Sequence, residues 1–411
     1  MRLDAIPWLK QGPLAELLAV LDRDGEEARV VGGSVRNALL GEPIGDIDVA
    51  TTAPPDEVTR RAQAAGFRAV PTGIEHGTVT VVIAGRPFEV TTLREDVETF
   101  GRKARVVFGR DWRKDAERRD FTMNALSATR DGTVHDYVGG LDDLKARRVR
   151  FIGDPHARIA EDYLRILRFF RFHAAYGEGA PDPAGLAACI AGRAGLETLS
   201  RERVRTELLK LMPAPHAVAT LGVMAEAGLI VAVLGGVPLL ASFARMAQCE
   251  RAAALAPDAV RHLGALAVQI EEDAVRLGAR LRLSNAEQNR LAVMAAHWRA
   301  VSPDADRAMR ALLYRLGPDA FADAVLLAWS RAPQGTSAAR WLALVALPQH
   351  WIIPVFPLRA ADFIVRGVEK GPALGAALAA AERAWIAADF PSDAPALEAL
   401  VAAAVAEAPR K

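Results

Sequence analysis

The chain has 411 residues, of which 51% are hydrophobic and 25% charged, with a formal net charge of +1. That length exceeds one ordinary core and predicts roughly two to three domains. The balance of apolar and charged residues excludes a disordered chain, and the near-neutral charge excludes a globally basic nucleic-acid binder, so any basic surface must be local.

The N-terminus reads as lacking a signal peptide, because Trp8, Lys10 and Gln11 interrupt any apolar run; a cytoplasmic protein is expected. Residues 28–31 form a short apolar strand ending at Gly32-Gly33, and Ser34 is placed to cap a helix through Leu40. Residues 47–51 read as the next strand, and Pro54-Pro55-Asp56 opens another helix. The β-branched runs 78–83 and 88–92, joined through Gly85 and Arg86, read as a hairpin. Residues 99–114 are polar, basic and weakly periodic, and are expected to be a loop.

Beyond about residue 140 strand signals nearly vanish and alanine- and leucine-rich helical patterns run to the end. An α+β chain follows, with a small α/β domain ahead of an all-helical region. The apolar run 227–244 approaches membrane-span length, but Gly235, Gly236 and Pro238 break it into two buried helices with a turn. Cys189 and Cys249 lie far apart, match no zinc or redox spacing, and fit a reducing compartment.

Asp46-Ile47-Asp48 opens the second strand. Residues i and i+2 of a strand share a face, so the two carboxylates stand side by side and repel. A hard divalent cation removes that repulsion, and magnesium takes oxygen ligands together with substrate phosphates. The arrangement suits phosphoryl transfer; a solvated turn would use the same residues. The preceding Gly32-Gly33-Ser34-Val35-Arg36 is a glycine turn into a helix start, where backbone amides attract anions. Arg36 adds a cation one turn in. Glu89, on the later strand, is either a third carboxylate beside the pair or an ordinary edge glutamate.

Two arginine-rich segments follow. Arg118-Arg119 beside Asp120 opens a predicted helix and can grip a triphosphate, since guanidinium matches phosphate oxygens bidentately. In residues 158–172, which have helical spacing throughout, Asp162, Arg165, Arg168 and Arg171 recur every third residue. A solvated face of ion pairs would look the same. The alternative is chemical. Cytosine and adenine each present an amino donor beside a ring-nitrogen acceptor, which an aspartate and an arginine can match; uracil and guanine reverse the order. A mismatch leaves buried polar groups unpaired, at about 1–3 kcal/mol each.

Together these segments resemble the class II tRNA nucleotidyltransferases, the CCA-adding enzymes, and their relatives the bacterial poly(A) polymerases. The likeness covers residues 31–48, 118–125, 132–143, 154–172 and 200–208. It implies a polymerase β-like nucleotidyltransferase head (residues 1–145), a helical neck (146–215), and a helical body and tail (216–411). It implies a two-ion magnesium site at Asp46 and Asp48, and nucleotide contacts from Gly33, Arg36 and Arg119. It assigns base reading to Asp162, Arg165, Arg168 and Arg171. Asn37 departs from the family, which usually has aspartate there. The late Gly371-Pro372 resembles a family turn near the tail.

The expected activity is addition of CCA to tRNA 3′ ends from CTP and ATP, without a template and with release of pyrophosphate. A poly(A) polymerase, a CC-only or A-only enzyme, and a catalytically silent RNA-binding protein are the alternatives. No membrane partner is expected. The basic residues Arg102, Lys103, Arg105, Arg110 and Arg113 are candidate RNA contacts. His76, His156 and His173 have no partner at ligand spacing and are expected to be structural.

Overall fold

A computed structural model describes the chain except residues 1, 4–6, 74–76, 101–102, 334 and 408–411, and describes no side chains for 95–106. The chain divides into two compact units, Met1–Gly236 and Val237–Lys411.

The first unit is built on a seven-stranded mixed sheet in the order β3-β4-β5-β2-β1-β8-β9. Its strands are β1 (Ala28–Val31), β2 (Asp48–Thr51), β3 (Arg68–Gly73), β4 (Thr78–Ile83), β5 (Arg86–Thr92), β8 (Ser127–Ala128) and β9 (Val134–His135). Only β2 and β5 pair in parallel; the other neighbours are antiparallel. The pleat sorts side chains onto two faces. Val30, Val49, Val79, Val81 and Val90 are fully buried on one face. Helices α1 (Pro13–Leu21) and α3 (Pro55–Ala64) pack against that sheet. The opposite face is more polar and carries Asp48, Glu89, Thr78, Thr80 and Thr91. One face therefore makes the core and the other is left for chemistry.

The segment expected to be a loop is not one. Residues 94–108 form β6 (Arg94–Phe100) and β7 (Lys103–Phe108), a separate two-stranded sheet. The two strands pair through the backbone, and charged residues recur through 94–108, so the sequence shows no clean hydrophobic alternation there. Helix α4 (Trp112–Glu117) follows, with Asp111 accepting from the amides of Arg113 and Lys114. Residues 118–125 also differ from expectation. The arginine pair lies just past the end of α4, and only a single 3-10 turn, Thr122–Asn124, follows.

The helix predicted for residues 158–172 is two helices, α5 (Pro155–Glu161) and α6 (Leu164–Tyr176). Asp162 is extended, at φ −156° and ψ 107°, and its Oδ1 accepts from the Leu164 amide at 3.1 Å. A short acidic side chain that bonds its own backbone offers an alternative to the helical ladder, and here it breaks the helix. Helix α7 (Arg201–Leu211) packs along α6.

Residues 227–244 form two helices around Gly235, as expected, and no helix among the described residues is long and apolar enough to cross a membrane. Helices joined by loops make up the second unit, with no strand among its described residues. Within it, Glu250 accepts from Arg261 (2.8 Å) and bonds His262 (2.6 Å), while Asp323 accepts from Arg290 at 2.5 and 2.9 Å. Phe363, Ala377, Ala381 and Val401 form a separate buried cluster near its end.

Candidate active site

Strand register brings the carboxylates together. Val31 pairs with Asp48, and Asp48 pairs in parallel with Glu89, so all three side chains stand in one row on the polar face. Asp46 precedes β2, and the alternation continues through it: Asp46 and Asp48 are exposed, Ile47 and Val49 buried. Desolvation in the cleft raises the Asp48 carboxyl above its ordinary range; Glu89 and then Asp46 add to the shift, and Arg119 opposes it. Among the described residues no guanidinium or ammonium is bonded to Asp46, Asp48 or Glu89. Nor do three such side chains close into a complete ligand set. The donors are hard oxygens, crowded and uncompensated, which is the chemistry a magnesium ion fits while taking its other ligands from phosphate and water.

Beside the row, β1 turns into helix α2 (Gly33–Leu40) through Gly32, which has φ 70° and ψ −127°. That conformation is open to glycine alone. A Cβ there would also meet Arg119 Nη1 at 3.3 Å. The helix cap is thus Gly32 and not Ser34, whose hydroxyl lies 3.4 Å from the Val31 carbonyl. Arg119 is drawn to this turn from one side and held by Asp115 at 3.2 Å from the other.

A cleft of about 730 Å³ is lined by Gly32, Gly33, Asp46, Asp48 and Arg119 on one side. Asp162, Arg165, Arg168, Arg171 and Arg203 line it as well. The structure therefore gathers the sequence-predicted residues around one cavity, with Glu89 lining an adjoining cavity of about 250 Å³ that shares Asp48 and Arg119.

Their roles within the cavity differ. Arg36, expected to contact the nucleotide as a fixed cation, is buried. It donates to Asn124 Oδ1 (2.5 Å) and the Tyr176 hydroxyl (2.7 Å), and its guanidinium lies 4.0 Å from the Tyr176 ring centre. Burial depresses its basicity. Asn124 donates to Asp120 Oδ1 at 3.1 Å, and Asp120 Oδ2 accepts from Arg168 at 2.8 and 2.5 Å. Burial pushes the Asp120 carboxyl up, but Arg168 and the Asn124 and Phe121 hydrogen bonds outweigh it and hold it below the usual range. Arg168 also faces Glu207 at 3.6 Å; Glu207 accepts from Arg171, whose guanidinium stacks on Phe172. Arg36 lies over that same ring. These residues close a ring of contacts joining α2, the 3-10 turn, α6 and α7.

Asp162 and Arg165 stay outside the ring. Asp162 Oδ2 accepts from Arg203 at 2.6 Å, and Arg165 donates to Glu161 at 2.5 Å and to the Arg158 carbonyl at 2.6 Å. Asn124, Tyr176, Arg203 and Glu207 carried no assigned role in the sequence motifs, and Asp120 stood only as the acid beside the arginine pair, although Asp120 and Asn124 fall inside residues 118–125 and Arg203 and Glu207 inside 200–208. Of the basic residues once placed on a loop, Arg110 is clamped on Glu26 and the Gly25 carbonyl, and Arg113 donates to the Tyr137 carbonyl at 3.3 Å. Arg102 and His76 lie outside the described residues, as do the side chains of Lys103 and Arg105.

Known proteins are similar to this chain in sequence and in fold. Residues 28–150 match the Poly A polymerase head domain, and residues 181–243 match the probable RNA and SrmB-binding site of polymerase A. The chain is 34% identical over 383 residues to the mitochondrial CCA tRNA nucleotidyltransferase 1 of Homo sapiens, covering 90% of this chain and 86% of that one. It is 35% identical over 388 residues to the CCA-adding enzyme of Limosilactobacillus fermentum, covering 92% and 93%. The crystal structure of the Bacillus stearothermophilus CCA-adding enzyme in complex with CTP superimposes with a TM-score of 0.75 at 28% identity, over 96% of this chain and 98% of that one. Identity sustained from the carboxylate row through both units shows that this chain belongs to the CCA-adding tRNA nucleotidyltransferase family.

Proposed function

We propose that the protein adds CCA to the 3′ end of tRNA, using CTP and ATP and releasing pyrophosphate. The observation that carries this is the single cleft holding the uncompensated Asp46–Asp48 pair, the glycine turn, and the Asp162–Arg165 edge. Residues 1–145 act as the catalytic head, 146–215 as the neck, and 216–411 as the body and tail that bind RNA. Like family nucleotidyltransferases in general it depends on metal, and the two-ion magnesium site is assigned to Asp46 and Asp48, with Glu89 as the adjoining carboxylate. Bound magnesium would lower the charge on the triphosphate and favour the 3′ hydroxyl as nucleophile.

The protein's own residues supply position. The amides at the start of α2 and Arg119 receive phosphate oxygens. Asp162 accepts from the amino group of cytosine or adenine, and Arg165 donates to the ring nitrogen. Both are already bonded to neighbours, so a base must offer equally good partners to displace Arg203 or Glu161. Uracil and guanine present the reversed pattern and cannot. Arg168 and Arg171, fixed by Asp120 and Glu207, set the place of that edge relative to the carboxylates. Such holding of reactants converts binding into rate without a side-chain base. The work belongs where immature tRNA is held, which for this chain we assign to the cytoplasm.

Purified protein, magnesium and tRNA lacking CCA, supplied with CTP, ATP or both, test the assignment. Two additions with CTP, and a third only when ATP follows, are expected. Long adenosine tails would instead make it a poly(A) polymerase.

A further inference from the structure

We propose that Lys210 contacts phosphate oxygens in the cleft, either those of the incoming triphosphate or those of the RNA end; this rests on the proposed transfer reaction. Five arginines lining the cleft are bonded to carboxylates: Arg119 to Asp115, Arg165 to Glu161, Arg168 to Asp120, Arg171 to Glu207 and Arg203 to Asp162. The sixth, Arg36, is buried on Asn124 and Tyr176. Each is held in place, and each has part of its charge already answered. Lys210 also lines the cleft, is exposed, and makes no hydrogen bond or ion pair with any described residue.

Its position on the helix gives it a direction. Arg203, Glu207 and Lys210 stand on one face of α7 at spacings of four and three residues. Arg203 meets Asp162 ahead of α6, and Glu207 meets Arg168 and Arg171 in its middle. Beyond α7 the chain stays beside the end of α6, where the His216 amide donates to the Ala174 carbonyl at 2.9 Å. Lys210 therefore continues the row away from the base-reading edge, toward the end of α6 where Tyr176 holds Arg36 behind the glycine turn. On the proposed reaction the amides after that turn receive phosphate, so a ligand at that end brings it. The fixed arginines can offer it only the N–H groups their carboxylates leave over, whereas an ammonium on a four-carbon stem is a mobile point charge with three donors.

The test varies one substrate at a time. Steady-state KM for CTP, at saturating tRNA lacking CCA, and KM for that tRNA, at saturating CTP, are measured for Lys210→Ala, Lys210→Glu and Lys210→Arg. One KM should rise about three- to tenfold in the alanine variant, from loss of a charge-assisted hydrogen bond at a solvent-facing site. It should rise further with glutamate and return with arginine, while kcat and the thermal midpoint hold. A rise for CTP assigns the triphosphate. A rise for tRNA assigns the RNA backbone, and the slope of log affinity against log salt should then fall by about 0.7. KM values within twofold of the parent for both substrates, in both the alanine and glutamate variants, overturn the proposal. So does a fall in kcat with both KM values unchanged. A parent protein that adds neither C nor A would instead defeat the underlying reaction.

Discussion

Two groups of acids surround the cleft, and the fold holds them in opposite ways. Asp46, Asp48 and Glu89 belong to the sheet, where register forces them together and no guanidinium among the described residues is bonded to them. Asp120, Asp162 and Glu207 hold arginines of the wall built on α6 and α7, one each. The first group is kept at an electrostatic cost that a cation can relieve. The second has its cost met inside the protein and serves to aim its partners. The second unit shows that pairing alone does not mark a site: Glu250 and Asp323 are as densely paired with Arg261, His262 and Arg290, but these two carboxylates are only 1% and 2% exposed. Access to a cleft, not the number of ion pairs, separates a working array from a structural one.

The largest effect should come from the uncompensated group. Asp46→Ala or Asp48→Asn should lower incorporation of labelled CTP at least about a thousandfold, because transition-state charge stabilisation is lost. Far-ultraviolet circular dichroism should be unchanged. Turnover within tenfold of the parent would remove both residues from the metal assignment and erase the contrast between the two groups.

That first group was legible in the sequence because its geometry is local. Two residues apart on a strand is a statement about one face, and the glycine turn lies directly before it. Glu89 needed the parallel β2–β5 register, which no single-segment pattern encodes. The second group depends on partners far away along the chain: Arg36 with Tyr176, Asp120 with Arg168, Asp162 with Arg203. The arginine row was visible at its three-residue spacing, but what each arginine holds was not. The break at Asp162 was hidden for a related reason. Its neighbours have continuous helical periodicity, and the side-chain bond to the Leu164 amide that ends α5 is a competition periodicity does not record. Residues 94–108 failed in the other direction: the strands pair through the backbone, while charged residues interrupt any alternation in the sequence.

The next effect concerns the paired group. Asp120→Asn keeps the shape of the side chain and removes the charge that Arg168 faces. The fold holds the Asp120 carboxyl below its usual range, so its contribution to stability is present above the unfolded carboxyl range and is lost as pH falls through the lower, folded value. The variant should unfold several degrees below the parent near neutral pH, with the difference shrinking in acid. Because Arg168 retains some solvent exposure, the loss should be smaller than for a fully buried pair. The ratio of C to A addition should shift as well, since the ring that positions α6 is loosened. An unchanged midpoint at neutral pH would show that Asp120 merely accompanies Arg168.

The smallest effect sharpens the comparison most, because its sign is reversed. Desolvation, Glu89 and Asp46 raise the Asp48 carboxyl. An acid whose folded pKa is raised costs stability when ionised, and that cost is relieved as pH falls through the folded value. Asp48→Asn removes the charge at every pH. In magnesium-free buffer near neutrality, the variant should therefore melt about one to three degrees above the parent, the gap closing as the parent's own Asp48 protonates. Excess magnesium should erase or reverse the gap, since the parent alone would then gain the ion's binding energy. The same Asp→Asn change would thus destabilise the protein at Asp120 and stabilise it at Asp48, within one cleft. A lower midpoint for Asp48→Asn without metal would mean that its charge is answered inside the protein after all, and the two groups of acids would not differ in kind.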